Sequence, residues 1–272
     1  MLPLLLLTAC SETTRPVPLE AVPVPGVLPY VRAWSGQREL RMGADSGSEL
    51  PAVLFPEAAD ALGAPPRTDA AVQPCAVPIR VGPQAPVAPC YVALAAHAPM
   101  DGLLGWPVLG RRPWHLDWAR GRHEFADAVP REVQRHWASL PLAPRAHAAP
   151  MIPGVGACML DTGAPHDIYL PSDLWKRVAA SLPPQAIRCY YGESPAAGGA
   201  FVAECARVRS FRLGNFRWRN VLVCESFCPD YPDIILGCGF LRRWELWLDG
   251  RQRRLYYRPY AGASGGSVLS GG

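Results

Sequence analysis

The stretch "DIILGCGFLRRWELWLDGRQRRLYY", which begins at Asp233, decides the fold because an earlier part of the chain repeats it. The earlier copy, "DGLLGWPVLGRRPWHLDWARGRHEF", begins at Asp101 and aligns without gaps at an offset of 132 positions. The identical pairs include Leu104 and Leu236, Gly105 and Gly237, Leu109 and Leu241, Arg111 and Arg243, Leu116 and Leu248, Asp117 and Asp249, and Arg122 and Arg254. An ungapped match of this length indicates a duplicated unit, so we expect two similar halves.

An acidic motif lies upstream of each copy. Asp45-Ser46-Gly47 stands in "GADSGSEL", and Asp161-Thr162-Gly163 stands in "MLDTGAPH". Taken alone, Asp-Ser-Gly is typical of an ordinary turn, because Asp and Ser bond to nearby backbone groups and Gly tolerates positive φ. Its place in the repeat, in register with the second motif, favours a matched pair instead.

The composition predicts a mainly β chain. With 31 prolines and 25 glycines in 272 residues, long helices are disfavoured. Two short helical signals follow the acidic motifs, one from Pro56 to Gly63 and one that starts at Pro171 and Ser172. Asp249-Gly250 between alternating apolar runs indicates a hairpin. The net charge of +4 is small and the arginines are spread along the chain, which argues against a nucleic-acid partner.

The N-terminal stretch "MLPLLLLTACSETT" favours export. An apolar run leads into Leu7-Thr8-Ala9-Cys10, which resembles the lipobox of bacterial lipoproteins. This interpretation makes residues 1–9 a signal peptide, Cys10 the site of lipid attachment and residues 10–29 a linker. It places the protein on the periplasmic side of the bacterial cell envelope, held to the membrane by the lipid. Residues 261–272 are expected to form a flexible tail.

The cysteines agree with an oxidising compartment. Apart from Cys10, eight remain: Cys75, Cys90, Cys158, Cys189, Cys205, Cys224, Cys228 and Cys238. We expect disulfides, with Cys75 and Cys90 the favoured pair and further pairing among the later six. A zinc site at Cys224 and Cys228 is the weaker alternative, because no second cysteine pair and no histidine cluster accompanies them. We therefore expect no metal and no cofactor.

The order of these features resembles the unit of pepsin-like and retropepsin-like aspartic proteases. That unit has a strand ending in Asp-Thr/Ser-Gly, a short helix, hairpins, and an apolar-apolar-Gly segment before another short helix. The resemblance covers residues 30–127 and 150–260, with residues 128–149 as the connection. It implies a mainly β fold of two similar retropepsin-like lobes with an active-site cleft between them.

The resemblance also implies roles for the motif residues. Asp45 and Asp161 would activate a water and hydrolyse peptide bonds, with a polypeptide substrate and a monomeric chain. Ser46 and Thr162 would hydrogen-bond across the interface, while Gly47 and Gly163 let the backbone approach the acids. Leu103-Leu104-Gly105 and Ile235-Leu236-Gly237 would pack beneath the two loops.

A substrate-covering flap is expected in the second half. "YYGESPAAGGAF" contains Tyr190, Tyr191 and Gly192 at the start of a glycine-rich hairpin, whereas the first half offers only the shorter "PPRTDAAVQP". His166 is interpreted as a loop residue without a catalytic role.

Two alternatives remain open. One is a peptide-binding envelope lipoprotein of the same fold that does not cleave, and the other is a homodimer in which each chain uses only Asp161.

Overall fold

The computed structural model of the chain describes residues 29–64, 72–81, 90–93, 100–194, 199–226, 233–260 and 267–268. The predicted signal peptide, Cys10, nearly all of the predicted linker, Cys228 and most of the predicted tail lie outside these residues.

Short strands are the main elements of the described chain, which confirms the mainly β prediction. The strands are β1 (Tyr30–Ser35), β2 (Arg38–Asp45), β3 (Ala52–Leu54), β4 (Val72–Cys75), β5 (Cys90–Ala93), β6 (Gly102–Gly105), β7 (Trp114–Asp117), β8 (Arg122–Phe125), β9 (Ala138–Pro141), β10 (Met151–Ile152), β11 (Gly156–Ala157), β12 (Met159–Leu160), β13 (Ile168–Leu170), β14 (Ile187–Ser194), β15 (Gly199–Leu213), β16 (Phe216–Glu225), β17 (Ile235–Leu236), β18 (Trp244–Asp249), β19 (Arg254–Pro259) and β20 (Ser267–Val268). The helices are α1 (Pro56–Ala61), α2 (Trp106–Leu109), α3 (Arg131–His136), α4 (Ser172–Ala179) and α5 (Cys238–Leu241), with 3₁₀ turns at Trp118–Arg120 and Pro184–Ala186. Within the described residues, every helix is too short or too polar to cross a bilayer.

The first sheet has the order β1-β2-β6-β3-β5-β4. β2, which ends at Asp45, pairs in parallel with β6, and Asp45 lies opposite Gly105. β3 runs antiparallel to β6 and parallel to β5, and β4 closes the sheet as an antiparallel partner of β5. The acid-bearing strand therefore lies beside the strand of the first repeat.

In the second sheet, β12-β17-β13-β16-β15 repeats the order β2-β6-β3-β5-β4, β14 follows β15, and β20 pairs with β16. β12, which ends one residue before Asp161, is parallel to β17. β13 is antiparallel to β17 and parallel to β16, and β15 is antiparallel to β16. The sense of each pairing matches the first sheet, so the sequence repeat corresponds to a repeated strand arrangement.

A third sheet, β8-β7-β18-β19-β9, joins the two halves. In the pairing of β7 with β18, His115 lies opposite Trp247, the residue 132 positions later, and their rings stack at 4.5 Å. On either side, Trp114 pairs with Leu248 and Leu116 with Leu246. The repeat is thus related to itself by an approximate twofold axis that passes between His115 and Trp247.

One continuous apolar core runs through all three sheets. It includes Leu40 and Leu104 from the first sheet, Trp218 and Leu236 from the second, and Leu248 from the third. Burying a leucine side chain contributes about 1.5–3 kcal/mol. The two halves are therefore held together by shared core packing as well as by the joining sheet.

Several local predictions are confirmed. α1 begins at Pro56 and is followed by Gly63 at φ 69°, and α4 begins at Ser172. β18 and β19 form the hairpin predicted at Asp249-Gly250, where Oδ1 of Asp249 accepts hydrogen bonds from the N–H groups of Arg251 and Gln252, both at 3.0 Å. The segment 128–149, predicted as the connection, contains α3, whose Val133 packs with Trp247.

The cysteines pair only in part as predicted. Cys205 and Cys224 are disulfide-bonded across β15 and β16, as expected for the later six. Cys75 and Cys90 lie directly opposite each other on β4 and β5, but both are free thiols, so this predicted disulfide is wrong. Burial raises the pKa of the Cys90 thiol, which disfavours the thiolate that disulfide formation requires. Cys158, Cys189 and Cys238 are likewise outside any disulfide.

Candidate active site

The two acidic motifs form loops with the same internal hydrogen bonds. Oδ1 of Asp45 accepts from the N–H groups of Gly47 at 3.0 Å and Ser48 at 3.1 Å. Oδ1 of Asp161 accepts from the N–H groups of Gly163 at 2.7 Å and Ala164 at 3.1 Å. Each loop therefore turns its carboxyl group toward the other half of the chain and fixes its orientation.

The carboxyl groups of Asp45 and Asp161 lie close together, since each acid packs against the glycine of the other motif. The glycines of the motifs make this approach possible. A methyl group on Gly47 would lie 2.5 Å from Cγ of Asp161, and one on Gly163 would lie 2.9 Å from Oδ2 of Asp45. No Cβ tolerates such contacts with a fixed carboxyl group, so the two positions require glycine for space.

The environment keeps a proton on this pair. Burial raises the pKa of Asp161 well above 3.8, and the neighbouring charge of Asp45 raises it further. Burial also raises the pKa of Asp45, while the hydrogen bonds from Asp161, Gly47 and Ser48 oppose that rise. Two close carboxylates cannot both ionise cheaply, so the pair shares one proton. At a pH between the two ionisations, one carboxyl group is therefore neutral and the other carries the charge.

A reciprocal pair of hydroxyl groups locks the loops together. Oγ1 of Thr162 donates to the carbonyl of Ala44 at 2.6 Å and accepts from the N–H of Ser46 at 2.9 Å. Oγ of Ser46 donates to the carbonyl of Leu160 at 2.7 Å and accepts from the N–H of Thr162 at 3.1 Å. Both hydroxyl side chains are fully buried. The interlock therefore has the geometry that the sequence resemblance implied.

Replacing Thr162 by valine should lower the free energy of unfolding by about 2–4 kcal/mol, because it leaves the buried N–H of Ser46 and carbonyl of Ala44 without their partner. Chemical denaturation at constant pH measures this change. Thr162→Ser, which keeps the hydroxyl group, is the matched control, and its free energy of unfolding should fall much less. A larger loss in Thr162→Ser than in Thr162→Val would mean that the methyl group of Thr162, rather than its hydroxyl, holds the loops.

The glycine-ending segments lie under the loops. The N–H of Asp161 donates to the carbonyl of Leu236 at 2.9 Å. The residue after each glycine then donates to the loop above it: Trp106 to the carbonyl of Ser48 at 3.0 Å and Cys238 to that of Ala164 at 2.6 Å. The two halves thus support their loops in the same way.

The predicted flap is a hairpin in the second sheet. Tyr190, Tyr191 and Gly192 lie in β14 and pair with Ala203, Val202 and Phe201 of β15. Part of the first-half segment "PPRTDAAVQP" lies outside the described residues. His166, near the Asp161 loop, stacks on Tyr169 at 5.7 Å, and burial lowers its pKa.

One part of the site was missed by the sequence analysis. Ala148, in the predicted connection, donates its N–H to the carbonyl of Ser46 at 2.9 Å, and its carbonyl accepts from Leu160 at 2.7 Å. The segment therefore lies between the two acidic loops. The only local feature that points to this position is the pair of small residues Ala148 and Ala149, both of which are buried. Two adjacent alanines form no periodic pattern from which their position could be predicted.

Among the residues that the structure describes, two groups of side chains have donor atoms close enough to hold a metal. In the first, the donor atoms of His115, Asp117 and Glu245 lie within 4.8 Å of one another. Arg258 bonds to Glu245 at 2.7 Å and Arg120 bonds to Asp117 at 3.0 Å, so both carboxylates already have cationic partners.

The second group comprises His166, Cys205 and Cys224. The sulfurs of the two cysteines are joined in the disulfide, which leaves no thiolate for a metal. Neither group therefore offers the uncommitted ligands that a metal centre needs.

Comparisons with known proteins add no assignment. No protein-family model matches the chain. A search of curated proteins also finds no match. The case for a function therefore depends on the geometry of the two loops and on the motifs that they carry.

Proposed function

We propose that the protein is an aspartic endopeptidase built from two retropepsin-like lobes, residues 30–127 and 150–260. The observation that carries this proposal is the close approach of the Asp45 and Asp161 carboxyl groups, each held by an equivalent loop, with the two loops joined by the Ser46–Thr162 interlock. The matching strand orders of the first and second sheets support the two-lobe arrangement.

A pair that shares one proton can supply both the acid and the base that hydrolysis of a peptide bond needs, with Asp45 proposed as the ionised member. Ionised Asp45 takes a proton from a water, whose oxygen bonds to the substrate carbonyl carbon. Asp161 donates its proton to the carbonyl oxygen, which gives a neutral gem-diol. Asp45 then passes its proton to the amide nitrogen as the C–N bond breaks, and a diol hydroxyl returns a proton to Asp161. The cycle produces a carboxylic acid and an amine and restores the original state of both aspartates.

The surroundings of the pair support a polypeptide substrate and a single-chain site. Both acids come from one chain, which favours a monomer over the homodimer that uses only Asp161. The β14–β15 hairpin, which contains Tyr190, Tyr191 and Gly192, is the proposed flap.

We retain the proposal of an exported lipoprotein with a lipid on Cys10, on the periplasmic side of a bacterial envelope. The Cys205–Cys224 disulfide supports an oxidising compartment.

Cleavage of a mixed peptide library at a series of pH values tests the proposal. We expect a bell-shaped profile on the acidic side of neutrality, since activity needs one protonated and one ionised carboxyl group. As the pH increases, activity should rise when the pair loses its first proton and fall when it loses the second. The raised pKa values of Asp45 and Asp161 move both changes to higher pH than for ordinary aspartates. Pepstatin should inhibit the cleavage. A folded protein that retains peptides without cutting them would instead identify the non-catalytic binding lipoprotein.

A further inference from the structure

A buried histidine stands where the two halves meet behind the candidate site. His147 precedes Ala148, whose backbone joins Ser46 to Leu160. Its side chain is only 3% exposed. Nδ1 lies 3.1 Å from Oε1 of Glu49, and Nε2 lies 3.7 Å from Oδ2 of Asp233. Both ring nitrogens therefore face a carboxylate, one from each half of the chain.

The two carboxylates belong to the parts of the chain that carry the acids. Glu49 lies two residues after Gly47 in the first loop. Asp233 precedes β17, the strand that pairs with β12, and the carbonyl of its neighbour Ile234 accepts from the N–H of Met159 at 2.9 Å. A shift of the His147 ring relative to either carboxylate would therefore change the position of one loop against the other.

We propose that His147 is a positioning residue that sets the separation of the Asp45 and Asp161 carboxyl groups. One ring nitrogen is within hydrogen-bonding distance of Glu49 and the other faces Asp233 at 3.7 Å, so the buried ring occupies the space between a carboxylate of each half. Within the described part of the chain, Cys158 is a further titratable group near Asp233, and burial together with the charge of Asp233 raises its thiol pKa to about 12. Cys158 is thus a neutral thiol and does not compete for His147. The consequence for catalysis rests on the proposed function.

Loss of this bridge has an expected signature in the titration of the two aspartates. Asp45 and Asp161 ionise at two different pH values because the charge of one disfavours ionisation of the other. The interval between these two pH values becomes smaller as the carboxyl groups move apart. Removing the imidazole takes away the buried ring that contacts both Glu49 and Asp233, which leaves the two acidic loops free to move apart. The two ionisations should therefore approach each other, and the pH profile of cleavage should narrow.

The experiment compares His147→Ala with wild type in the full chain. We expect kcat to fall by roughly 10²-fold, as for a misplacement of about 1 Å, while KM changes little. The ionisations of Asp45 and Asp161 are followed by carboxyl ¹³C NMR, and the unfolding free energy is measured in parallel. Glu49→Ala, at a side chain that is 56% exposed, is a second variant that should reproduce the narrowed profile if His147→Ala does not fold.

His115→Ala is the matched control. His115 is also buried between two carboxylates, Glu124 at 3.3 Å and Glu245 at 2.9 Å, but in the sheet that joins the halves. Its loss should lower stability and leave the two ionisations of the aspartates unchanged. The double variant His147→Ala/Glu49→Ala should lower kcat by less than the two single reductions combined, because both single substitutions break the same contact.

The outcomes separate this proposal from the proposed function. If wild type cleaves peptides and His147→Ala keeps its kcat and its pH profile, the positioning role is overturned. If wild type cleaves nothing but the NMR ionisations converge in His147→Ala, the positioning role stands and the proposed function fails. If the two ionisations also converge to the same extent in His115→Ala, the effect comes from a general loss of stability, and the proposal is overturned.

Discussion

Asp45→Asn and Asp161→Asn should each lower the kcat of peptide hydrolysis by roughly 10³-fold or more. Each substitution removes one member of an acid–base pair, and such a group contributes about 10²–10⁴-fold by itself. The amide keeps the shape of the side chain and its hydrogen bonds from the loop N–H groups. The loss should therefore fall on kcat rather than on KM, and it is measured with one peptide substrate at the pH optimum of wild type.

Stability provides the internal control for these two variants. Burial raises the pKa of both aspartates above 3.8, so the folded chain holds protons that the unfolded chain has already released. The folded state consequently loses stability as the pH rises from about 3.8 through the raised pKa values. Asparagine does not titrate, so each variant should be at least as stable as wild type near neutral pH.

Asp173→Asn serves as a comparison at an exposed aspartate. Asp173 lies in the first turn of α4, and its replacement should leave activity unchanged. Full activity in Asp45→Asn with none in Asp161→Asn would point to the homodimer that uses only Asp161. Full activity in both variants would exclude the pair as the catalytic centre.

Gly47→Ala should lower kcat by roughly 10²-fold while the chain still folds. The added methyl group would lie 2.5 Å from Cγ and 2.8 Å from both carboxyl oxygens of Asp161, so the carboxyl group must move. A displacement of about 1 Å at reacting groups costs about that factor in rate. Single-turnover cleavage separates this chemical effect from a change in binding.

Gly63→Ala is the matched substitution for this test. Gly63 has φ 69°, and a Cβ there would meet no atom within 4 Å, so alanine is strained but not crowded. It should cost about 1–2 kcal/mol of stability and leave kcat intact. If Gly47→Ala keeps the wild-type rate, the carboxyl groups do not need the close approach that the structure shows.

The sequence determined the features that depend on local pattern. The 132-residue repeat located β6 and β17 with the helices that follow them, and the Asp-Gly turn located the β18–β19 hairpin. The two acidic motifs were recognisable because their glycines and hydroxyl residues stand directly beside the acids. Each of these signals lies within a few residues, where backbone preference and spacing act.

The tertiary structure decided the contacts between the halves. The Ser46–Thr162 interlock joins residues 116 positions apart, and His147 meets Glu49 and Asp233 from a segment whose composition predicted only a connection. The same holds for Cys75 and Cys90, which the fold places opposite each other as thiols. No local pattern specifies such distances, because they follow from how the core and the joining sheet bring two separately patterned halves together.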